Sequence, residues 1–177
     1  NADDAEAFKI VAAPVFDPSP ENWVDLIPHR AGVLILDIIL LKHHLIRLER
    51  FEGLPRIVVL PLDGGDEWTV EFEEAAYSLG MSEGFEFDAT TIRMTYSSPT
   101  TPSRTYDLDL VTGERTLLKE QQVPSGHNPG DYETRRIFAK APDGETVPVT
   151  LLYKAGLQLD GTAPVLLYGY GAYGMAM

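Results

Sequence analysis

The chain contains no cysteine, so it is not a disulfide scaffold. Basic residues are scarce, with 14 Lys and Arg against 27 Asp and Glu. The net charge of −13 makes a surface that repels phosphate, which argues against nucleic acid and anionic membranes as partners. A cationic ligand is compatible with it. No long apolar run is present, because Asp37 and Lys42-His43-His44 interrupt the best stretch, from Gly32 to Leu48, and a soluble chain is expected. Helix signals are thin, since only Glu21 to Leu26, after Ser19-Pro20, and Glu73 to Leu79 read as a turn or two. The chain opens at Asn1 without an initiator methionine or a basic-then-apolar leader and stops at Met177 just after an apolar run. Both ends are expected to be cuts in a larger protein.

What is present is enough for a core: 177 residues, 44% of them hydrophobic, which a folded unit can bury without metal or cystine staples. Strand patterns dominate. Ile46 and Leu48 alternate with Arg47 and Glu49, Ile92, Met94 and Tyr96 with Arg93 and Thr95, and Tyr106, Leu108 and Leu110 with Asp107 and Asp109. Turn residues separate them, at Gly53-Leu54-Pro55, Asp63-Gly64-Gly65-Asp66, Pro99 to Pro102 and Thr112-Gly113.

A shift of 48 positions superposes Arg56 on Arg104, Leu60 on Leu108, Leu62 on Leu110 and Gly65 on Gly113, and upstream Ile46 on Met94 and Leu48 on Tyr96. A repeat of this length built from short strands predicts β-propeller blades, with two hairpin pairs of a β-sandwich as the alternative. The pattern stops in the linker-like Val123 to Gly130. Beyond it, Tyr132 to Ala141 and Thr146 to Lys154 flank Pro142-Asp143-Gly144-Glu145 and predict a hairpin. Pro164-Val165-Leu166-Leu167-Tyr168 then reads as a strand buried on both faces, followed by a glycine-rich Gly169 to Gly174.

None of the short chemical patterns in the chain carries a site by itself. Gly169-x-Gly171-x-x-Gly174 has the letters of a dinucleotide fingerprint, yet no phosphate-binding helix and no ribose-binding acid follow it. Gly80-Met81-Ser82-Glu83-Gly84 has the letters of a nucleophile elbow, with Asp107 or Asp109 and His127 downstream, but lacks the buried strand before and the helix after. His43-His44 point to opposite faces if extended, Asp63-x-x-Asp66 has too few oxygens for calcium, and the acidic runs Glu71 to Glu74 and Glu83 to Asp88 are expected to be solvated.

The residues Asp143-Gly144-x-x-Val147-Pro148, Leu159-Asp160-Gly161-x-x-Pro164 and Tyr168-Gly169-Tyr170-Gly171-x-Tyr173 closely resemble the start of the catalytic domain in the prolyl oligopeptidase family of serine peptidases. Tyr96-Ser97-Ser98-Pro99-Thr100-Thr101-Pro102-Ser103 with Tyr106-Asp107 resembles the oligopeptidase B (protease II) branch. The resemblance implies a mainly β fragment: the last blades of a β-propeller over residues 1–122, a linker over 123–131, and the first strands of an α/β-hydrolase domain over 132–177. It implies a cytoplasmic parent that cleaves short peptides after Arg or Lys, without a cofactor. The catalytic triad would lie outside this chain, which alone would be inactive.

By the same resemblance Tyr170 would donate its hydroxyl to the tetrahedral oxyanion, and Tyr173 would line the primary specificity pocket. The alternatives are a post-proline-cleaving relative and a noncatalytic propeller module. Exposed blade flanks and an unpaired sheet edge lead to the expectation that the fragment self-associates.

Overall fold

The computed structural model describes residues 4–171. Among them are twelve β-strands in four antiparallel sheets, two single 3-10 turns and no α-helix. Strands β1 (Ile10–Ala12) and β2 (Val24–Ile27) pair as a short ribbon. The first four-stranded sheet runs in order β3 (Val33–Leu40), β4 (His44–Phe51), β5 (Leu54–Pro61) and β6 (Trp68–Thr69). The second holds β7 (Ser78–Ser82), β8 (Thr91–Ser97), β9 (Arg104–Asp109) and β10 (Arg115–Glu120). Strands β11 (Tyr132–Lys140) and β12 (Thr146–Lys154) form the expected hairpin, in register from Tyr132 opposite Lys154 to Lys140 opposite Thr146.

The two four-stranded meanders are the blade pattern read from the sequence, and they pack face to face. Period-2 alternation puts Ile46 with Leu48, and Ile57 with Val59, on one face of the first sheet. That face meets Ile92, Met94, Tyr96 and Leu108 of the second in one core, with Ile46, Met94 and Leu108 fully buried. An aromatic group closes this core at one end, where Phe72 stacks on Tyr96 at 4.8 Å and lies 5.0 Å from Tyr77.

The repeat needs one correction. Arg56 faces Glu49 across β5 and β4, whereas Arg104 faces Tyr96 across β9 and β8. The loop of the second sheet is thus one residue longer, and Arg47 and Glu49, not Ile46 and Leu48, correspond to Met94 and Tyr96. A slip of one residue exchanges the faces of a strand. The second sheet therefore presents Met94 and Tyr96 to an apolar neighbour, while the first turns Arg47 and Glu49 the other way, toward the segment that carries Arg30. There Glu49, fully buried, accepts from Arg30 at 2.5 Å, Arg47 at 2.8 Å and Arg56 at 2.8 Å.

Two local expectations fail and one is met in part. A single 3-10 turn, Pro20–Asn22, stands at the start of Glu21 to Leu26, and after Trp23 the chain enters β2, whereas Glu73 to Leu79 is irregular until β7 begins at Ser78. Segments this short cannot nucleate a helix without packing support. Pro164 to Tyr168 is not a strand, and Leu166 is 92% exposed. An extended segment becomes a buried strand only where neighbours supply ladder bonds and cover both faces, and no described residue does so here.

Candidate functional site

Two loops of the blade sheets and the β11–β12 hairpin converge on a cavity of about 740 Å³, and Tyr170 lies in its wall. The loops hold their shape for local reasons. Phe51 and Leu54 are opposed across a two-residue turn in which Glu52 and Gly53 have φ of 50° and 80°, the primed geometry that matches strand twist. A Cβ on Gly53 would lie 2.8 Å from Cγ of Pro148 and 3.1 Å from Arg136, so the turn tip rests directly on the hairpin.

The second loop is the Ser-Ser-Pro-Thr-Thr-Pro segment. Ser98 Oγ accepts from the backbone N–H of Thr100 at 3.0 Å and of Thr101 at 2.8 Å, closing a local turn. Half-buried Glu74 accepts from the hydroxyls of Thr100 at 3.3 Å, Thr101 at 2.6 Å and Tyr96. Burial is the largest single influence on Glu74 and pushes its carboxyl up, but the hydroxyls of Ser98, Thr101, Tyr96 and Thr100 together hold it below the usual range. Burial first, and then the bond to Glu74, push the Tyr96 phenol up. Glu74 is therefore an anchor of this loop, contrary to the expectation that its acidic run is solvated. The segment before β11 joins in: His127 Nε2 donates to the Thr100 carbonyl at 2.7 Å, and its ring stacks with Tyr132 at 6.2 Å.

Around the cavity, Arg50 continues the Ile46, Leu48 face of β4, and Arg136 comes from β11. Burial, the foremost influence, and Glu71 push the Tyr77 phenol up, while the nearby Arg136 charge pulls against them. Neither arginine stands out in the sequence; only the register of β4 and of the hairpin puts both at one opening. Tyr170 is 46% exposed. Tyr173 lies outside the described residues, as does Gly174 of the dinucleotide pattern.

The rejected patterns do not assemble. Ser82 ends β7, an edge strand opposite Arg93, and no helix follows it. Asp107 is paired with Arg93 at 3.0 Å, and Asp109 caps its turn by accepting from Thr112 N at 2.7 Å. His43 precedes β4 and bridges Asp63 and Asp88, 3.3 Å from the latter, whereas His44 is buried. Among the described residues no group of three or more His, Cys, Asp or Glu is placed to hold a metal ion, and no helix is long and apolar enough to cross a membrane.

Residues 1–121 match the family described as prolyl oligopeptidase, N-terminal beta-propeller domain. Among curated proteins, dipeptidyl aminopeptidase BI of Pseudoxanthomonas mexicana is 41% identical over 178 residues, covering 100% of this chain and 24% of the relative. Protease 2 of Moraxella lacunata is 26% identical over 167 residues, covering 94% and 24%. Among solved structures, oligopeptidase B from Leishmania major superposes with a TM-score of 0.89 at 30% identity, over 100% of this chain and 26% of that one. The closed, antipain-bound oligopeptidase B from Trypanosoma brucei gives 0.79 at 34% identity, over 89% and 24%. The chain thus spans about a quarter of the length of the proteins it matches, as the 24% coverage states.

Proposed function

The chain belongs to the prolyl oligopeptidase family, and on that premise we propose that it is the part of a serine oligopeptidase where the last propeller blades, residues 1–122, pass through the linker 123–131 into the first strands of an α/β-hydrolase domain, 132–177. The parent hydrolyses short peptides after arginine or lysine. The observation that carries this reading is the position of Tyr170 in the wall of a cavity shared by the blade loops and the hairpin. A phenol there can be aimed at a developing oxyanion, and the glycines on either side add no Cβ to obstruct a substrate carbonyl. Likeness to oligopeptidase B structures over 89% and 100% of the chain supports the branch, and the net charge of −13 suits a cationic substrate. Tyr173 is proposed to line the specificity pocket. The parent is taken to be cytoplasmic, which cell fractionation tests.

A second reading has one observation in its favour: the relative that is 41% identical is named a dipeptidyl aminopeptidase, so the parent would remove dipeptides from free amino ends. Chromogenic substrates separate the two. Cleavage of amino-blocked Arg and Lys substrates supports the first reading. Turnover confined to dipeptides with a free amino group supports the second, and turnover confined to proline substrates overturns both. The 177-residue chain by itself is expected to cleave none of them; turnover lost in Ser82→Ala would overturn the fragment assignment.

A further inference from the structure

The cavity beside Tyr170 carries the opposite charge from the chain around it. The protein has 27 acidic and 14 basic residues, yet among the described residues two arginines and no aspartate or glutamate line this opening. Arg50 reaches it because Ile46 and Leu48, on the same face of β4, lie in the core between the sheets. Arg136 reaches it from the hairpin, its guanidinium 5.2 Å over the Phe138 ring and close enough to Tyr77 to act on that phenol. Hydroxyl-bearing Ser78 and Thr150 and apolar Leu54 and Pro148 also line it.

We propose that this cavity binds the terminal carboxylate of a short peptide, with Arg136 as the main anion partner and Arg50 as the second. A guanidinium presents a planar fork of donors that matches a carboxylate, and partial exclusion from water strengthens the pair. The apolar wall can cover the last side chain of the peptide, and hydroxyls can meet its backbone. At about 740 Å³ the space suits a few residues, not a protein surface. The choice of a peptide as the carrier of the carboxylate rests on the peptidase reading above; the positive lining does not. Anchoring a free carboxyl end would favour short substrates over internal segments of long chains.

The test is equilibrium binding without turnover. Fluorescence anisotropy of an amino-labelled tetrapeptide is measured with the 177-residue chain at low salt, once with a free terminal carboxylate and once with a terminal amide. The acid is expected to bind about tenfold more tightly than the amide, as a charge-assisted pair implies. That preference should fall to within about twofold in Arg136→Gln and weaken in Arg50→Gln, while Arg136→Lys keeps part of it. Inorganic phosphate at millimolar level should displace the acid peptide. Equal affinity for acid and amide overturns the proposal, and so does phosphate binding without peptide binding, or a preference untouched in both glutamine variants. Should Arg136→Gln lose its β-sheet circular dichroism, Arg50→Gln decides. Since no bond is cleaved, this result stands apart from the substrate assays, where the peptidase reading succeeds or fails.

Discussion

Gly53 lies against Pro148 so closely that a Cβ on the glycine would come within 2.8 Å of the proline ring. The contact joins a blade turn to the β11–β12 hairpin, and the φ of 80° at Gly53 is itself one that side chains disfavour. Gly53→Ala should destabilise the chain by about 1–3 kcal/mol, from the left-handed backbone cost plus the clash. Pro148→Ala in the same chain should recover the steric part only. Chemical denaturation of both variants and their combination measures this, and a Gly53→Ala loss under about 0.5 kcal/mol would refute it.

Glu49 sits fully buried among Arg30, Arg47 and Arg56. Removing one member of such a group leaves charge stranded, and Glu49→Gln should cost about 3–5 kcal/mol. Replacing Arg47 by Met and Glu49 by Leu together should cost much less. If the double replacement proves as damaging as the single one, packing and not charge is what this site supplies.

Acid sensitivity should follow from Glu49 and Glu74. Burial is the foremost influence on Glu49 and raises its carboxyl, but the hydrogen bonds from Arg47 and Arg56 and the charges of Arg47 and Arg30 outweigh it and hold the group below its ordinary range. Glu74 is lowered in the same sense. A depressed folded value means that the stabilisation is complete above the unfolded value of about 4.3 and is lost as pH falls through the lower, folded one. Denaturation midpoints should therefore drop below roughly pH 4, with a shallower slope in Glu74→Gln. An unchanged slope in that variant would remove Glu74 from the account.

Tyr170→Phe in the parent enzyme should reduce kcat far more than it changes KM. A donor that bonds chiefly the transition state affects the chemical step, and losing one such donor costs about 2.7–4 kcal/mol. Packing should survive because the ring remains. A rate loss under about threefold would make Tyr170 a wall residue with no catalytic role.

The isolated chain should self-associate through Val165, Leu166 and Leu167, which are 84%, 92% and 86% exposed. Leu166→Asp should lower the apparent mass in light scattering at high protein concentration. Low salt should weaken association as well, since a charge of −13 is then poorly screened. A compact monomer at every concentration and salt would count against it.

The sequence by itself determined the strands and their grouping. Alternation is local, so Ile92, Met94 and Tyr96 announce one face of a strand without reference to anything distant, and Asp143-Gly144 announces the turn between β11 and β12. Which neighbour each face meets was decided only by tertiary structure. The added residue in the β8–β9 loop exchanged faces between sheets, so that the counterpart of apolar Met94 is buried Arg47. Glu74, read as solvated, became an anchor because Thr100 and Thr101 fold back onto it, and Arg50 and Arg136 meet at one cavity although 86 positions separate them in the sequence. Pro164 to Tyr168 shows the limit most plainly: its composition suits a buried strand, but burial and ladder bonds are supplied by partners, and composition cannot provide them.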